Sequence, residues 1–254
     1  MIKRLLLLIL TIAFIIILNP VTDQNKLKSE SGIILTFDDR SIDDWYSFLS
    51  FNNKYGAKAT FYISHFHKLN IKELTKLKVL QDYKNEIGYH TLNHLNAKEI
   101  IEEESLNYYI QTEILPGIVL MEESGFQVKS FAYPFGVGSR ETDREILNYF
   151  KNIRYTSYPG KDKKIKDMNS IYLKNRRKKI IEAVGIDNGY EHSLEEIFEG
   201  IDRAHKNNEI IILYGHAISD NPGKYNISKE KLEAIIKHAY TKGMKFYTVF
   251  ELDI

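Results

Sequence analysis

The chain has 254 residues, a hydrophobic share of 43% and a net charge of +1 at pH 7. This length fits one domain of barrel size with a large core, and the balanced charge gives the chain as a whole no attraction to nucleic acid or anionic lipid. The sequence contains no cysteine, which excludes disulfides and thiolate metal sites.

The N-terminus has the layout of an export signal. Met1–Arg4 carries two positive charges, Leu5–Leu18 is apolar apart from Thr11, and Asn19 and Pro20 end the run. A basic head followed by an apolar stretch is typical of a signal peptide, and the run is shorter than the roughly 18 residues of a spanning helix. No small-x-small cleavage site follows, so cleavage and membrane anchoring both stay open.

Three regions follow from this pattern. We expect residues 1–22 to be a signal peptide or membrane anchor, residues 23–31 to be a polar linker, and residues 32–254 to form the folded domain. The protein is therefore expected to be exported, whether secreted, periplasmic or anchored at the cell surface.

Strands and helices alternate along the rest of the chain. The predicted strands are Gly32–Asp39, Lys58–Ile63, Glu86–Tyr89, Lys129–Tyr133, Ile153–Thr156, Lys179–Val184, Glu209–Tyr214 and Lys245–Phe250. The predicted helices are Ile42–Tyr55, Ile71–Tyr83, Ala97–Glu123 with a kink or break at Pro116, Arg140–Phe150, Ser193–Asn207 and Ser228–Lys242. This alternation predicts a parallel sheet, and about eight strands in one domain indicate a closed (β/α) barrel.

Four predicted strands end in residues capable of chemistry. Asp38 and Asp39 end the first strand, and His90 and His94 follow the third. Tyr133, Pro134, Phe135 and Gly136 close the fourth, and His216 follows the strand that ends at Tyr214. Because the carboxyl ends of parallel barrel strands meet at one mouth, we expect these residues to form one site.

The two histidines suggest a metal site. His90 and His94 have the i, i+4 spacing that places two imidazoles on one side of a helical turn, which suits two ligands of one ion. One of the two aspartates can complete a two-histidine, one-carboxylate set, and the other is left free to act as a base. With His216 as general acid, these parts suit hydrolysis of an amide or an ester. Zn²⁺ is the default ion, and Co²⁺, Ni²⁺ or Mn²⁺ also fit.

The same residues resemble the motifs of a known family. Thr36-Phe-Asp-Asp39 resembles the first motif of the polysaccharide deacetylases, also called carbohydrate esterase family 4 or the NodB-homology group. His90-Thr-x-x-His94 is similar to the second motif, Phe131-Ala-Tyr-Pro-Phe-Gly136 to the third, and Leu213-Tyr-Gly-His216 to the fifth. The four stand in the family's order, and the resemblance implies a distorted (β/α) barrel of about seven to eight parallel strands.

The resemblance also implies a role for each residue. Asp38 would be the catalytic base, His216 the catalytic acid, and Asp39, His90 and His94 the metal ligands. The backbone N–H of Phe135 would face the developing oxyanion. The family removes acetyl groups from N-acetylhexosamine polymers or, less often, from acetylated xylan, so a polysaccharide is the expected partner.

Two features depart from the family pattern. The third motif normally has an arginine two residues before its proline, which steadies the base, and Ala132 stands there. We expect Arg176 to reach the base from another strand instead. The fourth motif, an Asp and a Trp that support the acid histidine, is not recognisable. Asp162 and Asp167 lie in the corresponding region, and Trp45, the only tryptophan, lies far from it in the sequence.

Other residues have less specific interpretations. Tyr133 and Tyr214, from their positions, are candidates for a sugar-facing wall beside Pro134 and Phe135. His65 and His67 follow a strand and either belong to a surface loop or contribute to the groove or a second ion. The basic run Lys174–Lys179 is interpreted as a solvated face rather than a polyanion site.

The sequence leaves three functions open. The first is an exported metal-dependent deacetylase that acts on a glycan. The second is a metal-holding, glycan-binding relative with little turnover, which the two departures suggest. The third is a hydrolase of a non-sugar amide on the same scaffold.

Overall fold

The structure is a computed structural model and describes residues 31–161, 163–174 and 176–253. The expected leader and nearly all of the expected linker lie outside the described residues. Within the part of the chain that the structure describes, no helix combines the length and the hydropathy needed to cross a membrane.

Short parallel strands form the centre of the fold. The strands are β1 Gly32–Asp39, β2 Ala59–Ile63, β3 Glu86–Tyr89, β4 Ser130–Ala132, β5 Asn152–Ser157, β6 Tyr172–Leu173, β7 Ile180–Gly185, β8 Ile210–Gly215, β9 Ala217–Ile218, β10 Asn226–Ile227 and β11 Lys245–Tyr247. β1, β2, β3, β4, β5, β7 and β8 pair in that order, and β8 pairs again with β1. The result is a closed barrel of seven parallel strands, which confirms the predicted fold class.

Helices surround this barrel. They are α1 Ile42–Trp45, α2 Leu49–Tyr55, α3 Ile71–Asp82, α4 Ala97–Glu103, α5 Leu106–Tyr109, α6 Leu115–Glu123, α7 Arg140–Ile146, α8 Leu194–Asn207 and α9 Lys229–Thr241. Side chains alternate along β1 between two clusters. Leu35 and Phe37 pack in the large cluster that includes the helices. Ile34 packs with residues of other strands, such as its register partner Ile212 on β8, in a second cluster inside the barrel.

The expected long helix at 97–123 is divided. α4 ends at Glu103, Ser105 caps α5 by accepting a hydrogen bond from the Tyr108 N–H at 3.0 Å, and a π-helical turn, Ile110–Ile114, precedes α6. The expected role of Pro116 is partly right, because it lies in the first turn of α6, where a missing N–H costs least. The interruption of the helix at Glu104 and Ser105 was not predicted.

The last strand is shorter than the predicted Lys245–Phe250. β11 pairs only with the first residues of β1, where Gly32 lies opposite Lys245 and Ile34 lies opposite Tyr247. From Leu35 onward the same edge of β1 pairs with β2. β11 therefore has no free edge to continue along, and the chain turns into a 3₁₀ helix, Val249–Asp253.

A buried carboxyl closes the barrel at the end where the strands begin. Glu86, at the start of β3, accepts hydrogen bonds from the Ser130 hydroxyl at 2.6 Å, the Thr60 hydroxyl at 2.8 Å and the Phe250 N–H at 2.8 Å. Burial raises the pKa of Glu86, and these donors act in the opposite direction. This carboxyl joins two neighbouring strands to the C-terminal segment.

We expect Glu86→Leu to lower the free energy of unfolding by about 3 kcal/mol, because three donors lose their acceptor inside the protein. Urea denaturation followed by circular dichroism measures this change. Glu86→Gln is the matched control, since it keeps an acceptor oxygen and should lose much less. Equal midpoints for the two variants and the wild type would show that these hydrogen bonds do not hold the barrel end.

Candidate active site

A cavity of about 420 Å³ opens at the carboxyl ends of the barrel strands. The sequence-predicted residues that line it are Asp38, Asp39, His90, His94, Tyr133, Phe135, Tyr214 and His216. Of the predicted site residues, Pro134 and Arg176 are not part of this lining. Segments nearly 180 residues apart in the sequence thus meet at the position where barrel folds place their chemistry.

Asp38 and Asp39 both face this cavity although they are neighbours in one strand. Successive residues of an extended strand point to opposite faces. Asp39 has a φ of 82°, in the left-handed region that a residue with a side chain rarely adopts. This backbone conformation breaks the alternation, so one strand end offers two carboxylates to one site.

Asp39, His90 and His94 form a cluster of potential metal ligands. One ligand atom from each lies within 4.8 Å of the others. The Asp39 Oδ1 atom is 3.0 Å from His94 Nε2 and 3.6 Å from His90 Nε2. Two imidazole nitrogens and a carboxylate oxygen in this arrangement match the donor set of a divalent transition metal. His65 and His67 are outside the cluster, although the His65 ring centre is 6.4 Å from that of His94.

A backbone contact fixes the orientation of His90. Its Nδ1 atom lies 2.7 Å from the carbonyl oxygen of Ala132, so this nitrogen donates its proton to the carbonyl. The Nε2 atom is then the unprotonated nitrogen and points toward Asp39 and His94. Such contacts set the tautomer of metal-binding histidines in proteins.

The segment between the two histidines is not the helical turn that the spacing suggested. Thr91 and His94 have left-handed φ values of 64° and 59°, and the His94 N–H donates to the Thr91 hydroxyl at 2.9 Å. The imidazoles converge through a strained loop rather than through helix periodicity. Strained backbone of this kind persists only where surrounding contacts hold it.

Glu113 supplies those contacts. This buried side chain accepts hydrogen bonds from the Asn93 N–H at 2.9 Å and the Asn93 Nδ2 at 2.7 Å. The Glu113 carbonyl accepts from the Leu92 N–H at 3.1 Å and the Tyr89 hydroxyl at 2.5 Å. Glu113 lies in the π-helical turn, an irregularity often found near functional sites. No sequence signal had pointed to this residue.

The partner of Asp38 is Arg154, and the expectation of Arg176 was wrong. The Arg154 guanidinium donates to Asp38 Oδ2, and both side chains are buried. The rings of Tyr62 and Tyr214 flank this guanidinium at 5.3 and 5.1 Å from their centres. Arg176 instead donates to the Tyr247 hydroxyl, because the loop after β6 lies at the opposite end of the barrel from the cavity.

Arg154 lies beside the position at which the third motif would have its arginine. Arg154 on β5 lies directly opposite Ala132 on β4 in the sheet register. The small side chain of Ala132 leaves room for the guanidinium inside the barrel. The sequence signal was present, because Arg154 is the one charged residue in the predicted strand Ile153–Thr156.

Asp187 supports His216. The Asp187 Oδ2 atom is 2.5 Å from His216 Nδ1, and its Oδ1 atom accepts from the His216 N–H at 3.2 Å. Asp187 follows β7, so the rule that placed Asp38 at a strand end would also have found it. The interpretation that left Asp162 and Asp167 as candidates was wrong for Asp167, whose carboxylate accepts from the Lys164 N–H in an exposed turn. Asp162 lies outside the described residues.

Trp45 also reaches His216, despite its distance along the sequence. Its Nε1–H donates to the His216 carbonyl at 2.7 Å. The side chain is fully buried and packs against Phe61 with ring centres 5.2 Å apart. A tryptophan from the first helix therefore fixes the backbone that presents His216.

Burial and neighbouring groups shift the pKa values of His90, Asp39 and His216. Burial lowers the pKa of His90 to about 4, so this ring is neutral at neutral pH. Burial raises the pKa of Asp39, but the hydrogen bond from His94 and the nearby imidazoles outweigh it, and the net pKa lies well below the usual range. Burial lowers the pKa of His216, but the Asp187 hydrogen bond and the Asp38 charge outweigh it and raise the pKa above its ordinary value.

The aromatic wall differs from the expected one. Tyr133 and Tyr214 reach the cavity but are essentially buried, and their hydroxyls contact Asp143 and Tyr190. The exposed aromatic side chains at the cavity are Phe135, Tyr158 and Tyr225, with exposed fractions of 61%, 60% and 65%. They form the rim, and the two predicted tyrosines form the layer beneath it.

The turn after β4 presents Phe135 to the cavity. Pro134 is buried and begins this turn, and Phe135 has a left-handed φ of 59°. Gly136 is also left-handed, and a Cβ there would lie 1.9 Å from the Thr156 hydroxyl oxygen. Glycine is therefore required at 136, and the turn places the Phe135 ring centre 4.9 Å from that of His94.

The fold and the cluster define a parallel barrel protein with an Asp-His-His site at its strand ends. The model of the family described as Polysaccharide deacetylase matches residues 25–157 of this chain. The chain therefore belongs to the polysaccharide deacetylase family. YxkH of Bacillus subtilis strain 168, which carries the name of a polysaccharide deacetylase, is 26% identical over 143 residues, which cover 54% of this chain and 48% of YxkH. The match thus spans about half the length of that relative.

Two solved structures show the same fold. BA3943 of Bacillus anthracis, described as a CE4 family pseudoenzyme, has a TM-score of 0.58 and 17% identity over 89% of this chain and 66% of its own. The peptidoglycan deacetylase PdaC of Bacillus subtilis has a TM-score of 0.55 and 17% identity over 89% of this chain and 91% of its own. At identities this low, the likeness concerns the fold alone.

Arg154→Ala should lower the free energy of unfolding by about 4 kcal/mol, because it leaves the Asp38 carboxylate buried without its partner. Urea denaturation provides the measurement. Arg176→Ala is the matched control, since it removes an arginine that bonds only Tyr247 among the described partners, and it should cost much less. Similar losses for both would contradict a specific role for the buried pair.

The sheet register suggests a second substitution that should restore part of the stability lost in Arg154→Ala. Because Ala132 and Arg154 are paired across β4 and β5, Ala132→Arg combined with Arg154→Ala returns a guanidinium to the same side of the barrel. The double variant should recover part of the lost stability, while Ala132→Arg alone should destabilise the crowded interior. Additive losses in the double variant would show that the two positions are not interchangeable.

Proposed function

We propose that this protein is a hydrolase that removes acetyl groups from an acetylated polysaccharide, with an N-acetylhexosamine polymer as the favoured substrate. The observation that supports this most strongly is the meeting of three units in one cavity. They are the Asp39, His90 and His94 cluster, the Asp38–Arg154 pair and the His216–Asp187 pair. PdaC, which has the same fold, is named a peptidoglycan deacetylase.

The donor set fits a divalent ion. Ala132 leaves His90 Nε2 unprotonated, and the pKa values favour a neutral His90 and an ionised Asp39. Zn²⁺ is the default for two imidazoles and a carboxylate, and Co²⁺, Ni²⁺ or Mn²⁺ are compatible. When bound, such an ion would polarise the acetyl carbonyl and make a water molecule more acidic.

Asp38 is the proposed base. Arg154 holds its Oδ2 atom, while the buried Oδ1 atom has no hydrogen-bond partner among the described residues. The free oxygen can accept the proton of an attacking water, and the guanidinium keeps the carboxylate in one orientation. The Phe135 N–H would donate to the carbonyl oxygen as negative charge develops there.

His216 is the proposed acid. The contact with Asp187 orients its Nδ1 side, which leaves Nε2 to give a proton to the departing amine. The exposed rings of Phe135, Tyr158 and Tyr225 offer flat apolar surfaces to sugar rings at the cavity rim. The N-terminal pattern favours export, which would bring the protein to a wall or environmental polymer.

The direct test is acetate release from chitooligosaccharide, peptidoglycan and acetylated xylan. We expect release from at least one substrate, about a thousandfold loss of kcat in Asp38→Asn, and a similar loss in His216→Ala. A chelator should abolish release, and readded Zn²⁺, Co²⁺, Ni²⁺ or Mn²⁺ should restore it. Arg176→Ala serves as the control that keeps activity.

Two results would contradict the proposed deacetylase function. Folded, metal-loaded protein that releases no acetate from any of the three would contradict the proposal. Tight binding of an oligosaccharide without turnover would assign the chain to a binding role, and BA3943, a described pseudoenzyme, shares the fold.

The alkaline limb of the pH profile should depend on Asp187. His216 must be protonated to act as an acid, so activity falls as pH rises through its raised pKa. Asp187→Asn removes the anion that raises this pKa, so the alkaline limb of kcat/KM should move to lower pH. Asp202→Asn is the control, because Asp202 pairs with His238 on an outer helix. An unmoved limb in Asp187→Asn would exclude His216 as the titrating acid.

A further inference from the structure

We propose that the end of the barrel opposite the cavity is a docking surface for an anionic lipid bilayer. We call this end the basal face. It comprises the starts of the parallel strands, the loop after β6 and the C-terminal ends of the outer helices. The proposal goes beyond the proposed function and does not depend on it.

Basic residues mark the start of most strands. Lys58 precedes β2, Lys129 precedes β4, Lys151 precedes β5, Lys179 precedes β7 and Lys245 opens β11. Because these strands are all parallel, their starting residues lie at one end of the barrel. The lysines at the starts of these five strands therefore become a ring of positive charge in the fold.

The loop after β6 and the helix ends add to this ring. The further bases of the basal face are Lys84, Lys174, Arg176, Arg177, Lys178, Lys206 and Lys242. The acids at the same end whose side chains reach solvent are Asp82, Glu122, Glu123, Glu145, Asp202, which pairs with Lys242, and Glu251, which pairs with Lys58. Bases outnumber acids there although the whole chain carries a net charge of only +1. The positive charge is thus concentrated on one face, as attraction to an anionic surface requires.

Exposed tyrosines stand among these charges. Tyr83, Tyr149 and Tyr240 lie at or just beyond the C-terminal ends of α3, α7 and α9, and each is exposed. A tyrosine ring with an apolar body and a polar hydroxyl suits the headgroup region of a bilayer. A surface for a purely soluble polyanion has no need of them.

The path of the chain selects a bilayer as the partner. β1 begins at Gly32 on the basal face, and the apolar stretch Leu5–Leu18 precedes it in the sequence. The intervening residues 19–31 span at most about 45 Å when fully extended. If the apolar stretch inserts in a membrane, the basal face is the end of the barrel tethered to that membrane.

This orientation has a consequence for the cavity. The mouth lies at the other end of the strands, so it would open away from the bilayer. If the proposed deacetylase function holds, the active site faces a polymer outside the membrane, and this consequence alone rests on that function.

The chain contains no cysteine, so a single introduced cysteine can report on its orientation. Gln127 is exposed on the basal face, and Asn221 is exposed in the loops that follow His216 at the mouth. Full-length Gln127→Cys and Asn221→Cys proteins, each with a fluorophore, are reconstituted in vesicles that contain phosphatidylglycerol and a lipid with a nitroxide headgroup. We expect quenching to be about threefold stronger at position 127 than at position 221.

The difference in quenching between positions 127 and 221 should depend on charge. This difference should shrink in zwitterionic phosphatidylcholine vesicles and at about 1 M salt, where the screening length falls to roughly 3 Å. The quenching difference should disappear in a triple variant that combines Lys84→Glu, Lys178→Glu and Lys179→Glu. The matched control is Lys161→Glu, Lys163→Glu and Lys224→Glu, which changes as many exposed lysines away from the basal face and should leave it intact.

Several results would overturn the proposal. Equal quenching at the two positions, or a difference unaffected by lipid charge and by the basal substitutions, would exclude electrostatic docking of this face. Binding of duplex DNA or heparin that depends on Lys84, Lys178 and Lys179, without lipid quenching at position 127, would assign the face to a soluble polyanion instead.

Discussion

The closure of the barrel through β1 is the constraint on which the rest of the structure depends. β1 pairs with β2 on one edge and β8 on the other, so its carboxyl end lies between the segments that bear His90 and His216. An open sheet would leave β8 far from β3. Only the closed ring brings the two aspartates, the two histidines of the candidate metal cluster and the proposed acid histidine within one cavity.

Buried charges fix the site at a cost in desolvation. The Asp38–Arg154 and Asp187–His216 pairs each place ionisable groups where water is scarce, and buried pairs of this kind contribute little net stability. Each pair holds one cavity-lining side chain, Asp38 or His216, in a single orientation. The left-handed backbone at Asp39 and His94 also costs free energy, and it also orients side chains that line the cavity.

Ala132 and Arg154 show how strand register brings two positions of the sequence to the same part of the site. They are register partners on adjacent strands, and the guanidinium of Arg154 bonds Asp38 beside the small side chain of Ala132. The backbone carbonyl of Ala132 is also used, because it accepts the proton of His90. Ala132 thus contributes to the site through its main chain, and Arg154 contributes through its side chain.

The sequence by itself determined the alternation of strands and helices, the barrel, and the chemical residues at strand ends, because hydrophobic period and strand-end position are local properties of the chain. It did not determine the contacts of these residues. The choice of Arg154 over Arg176, of Asp187 over Asp167, and the bond from Trp45 to His216 depend on strand register and on the end of the barrel at which each loop lies. Those are properties of the closed sheet, in which distance along the sequence says nothing of distance in space, so only the tertiary structure could decide them.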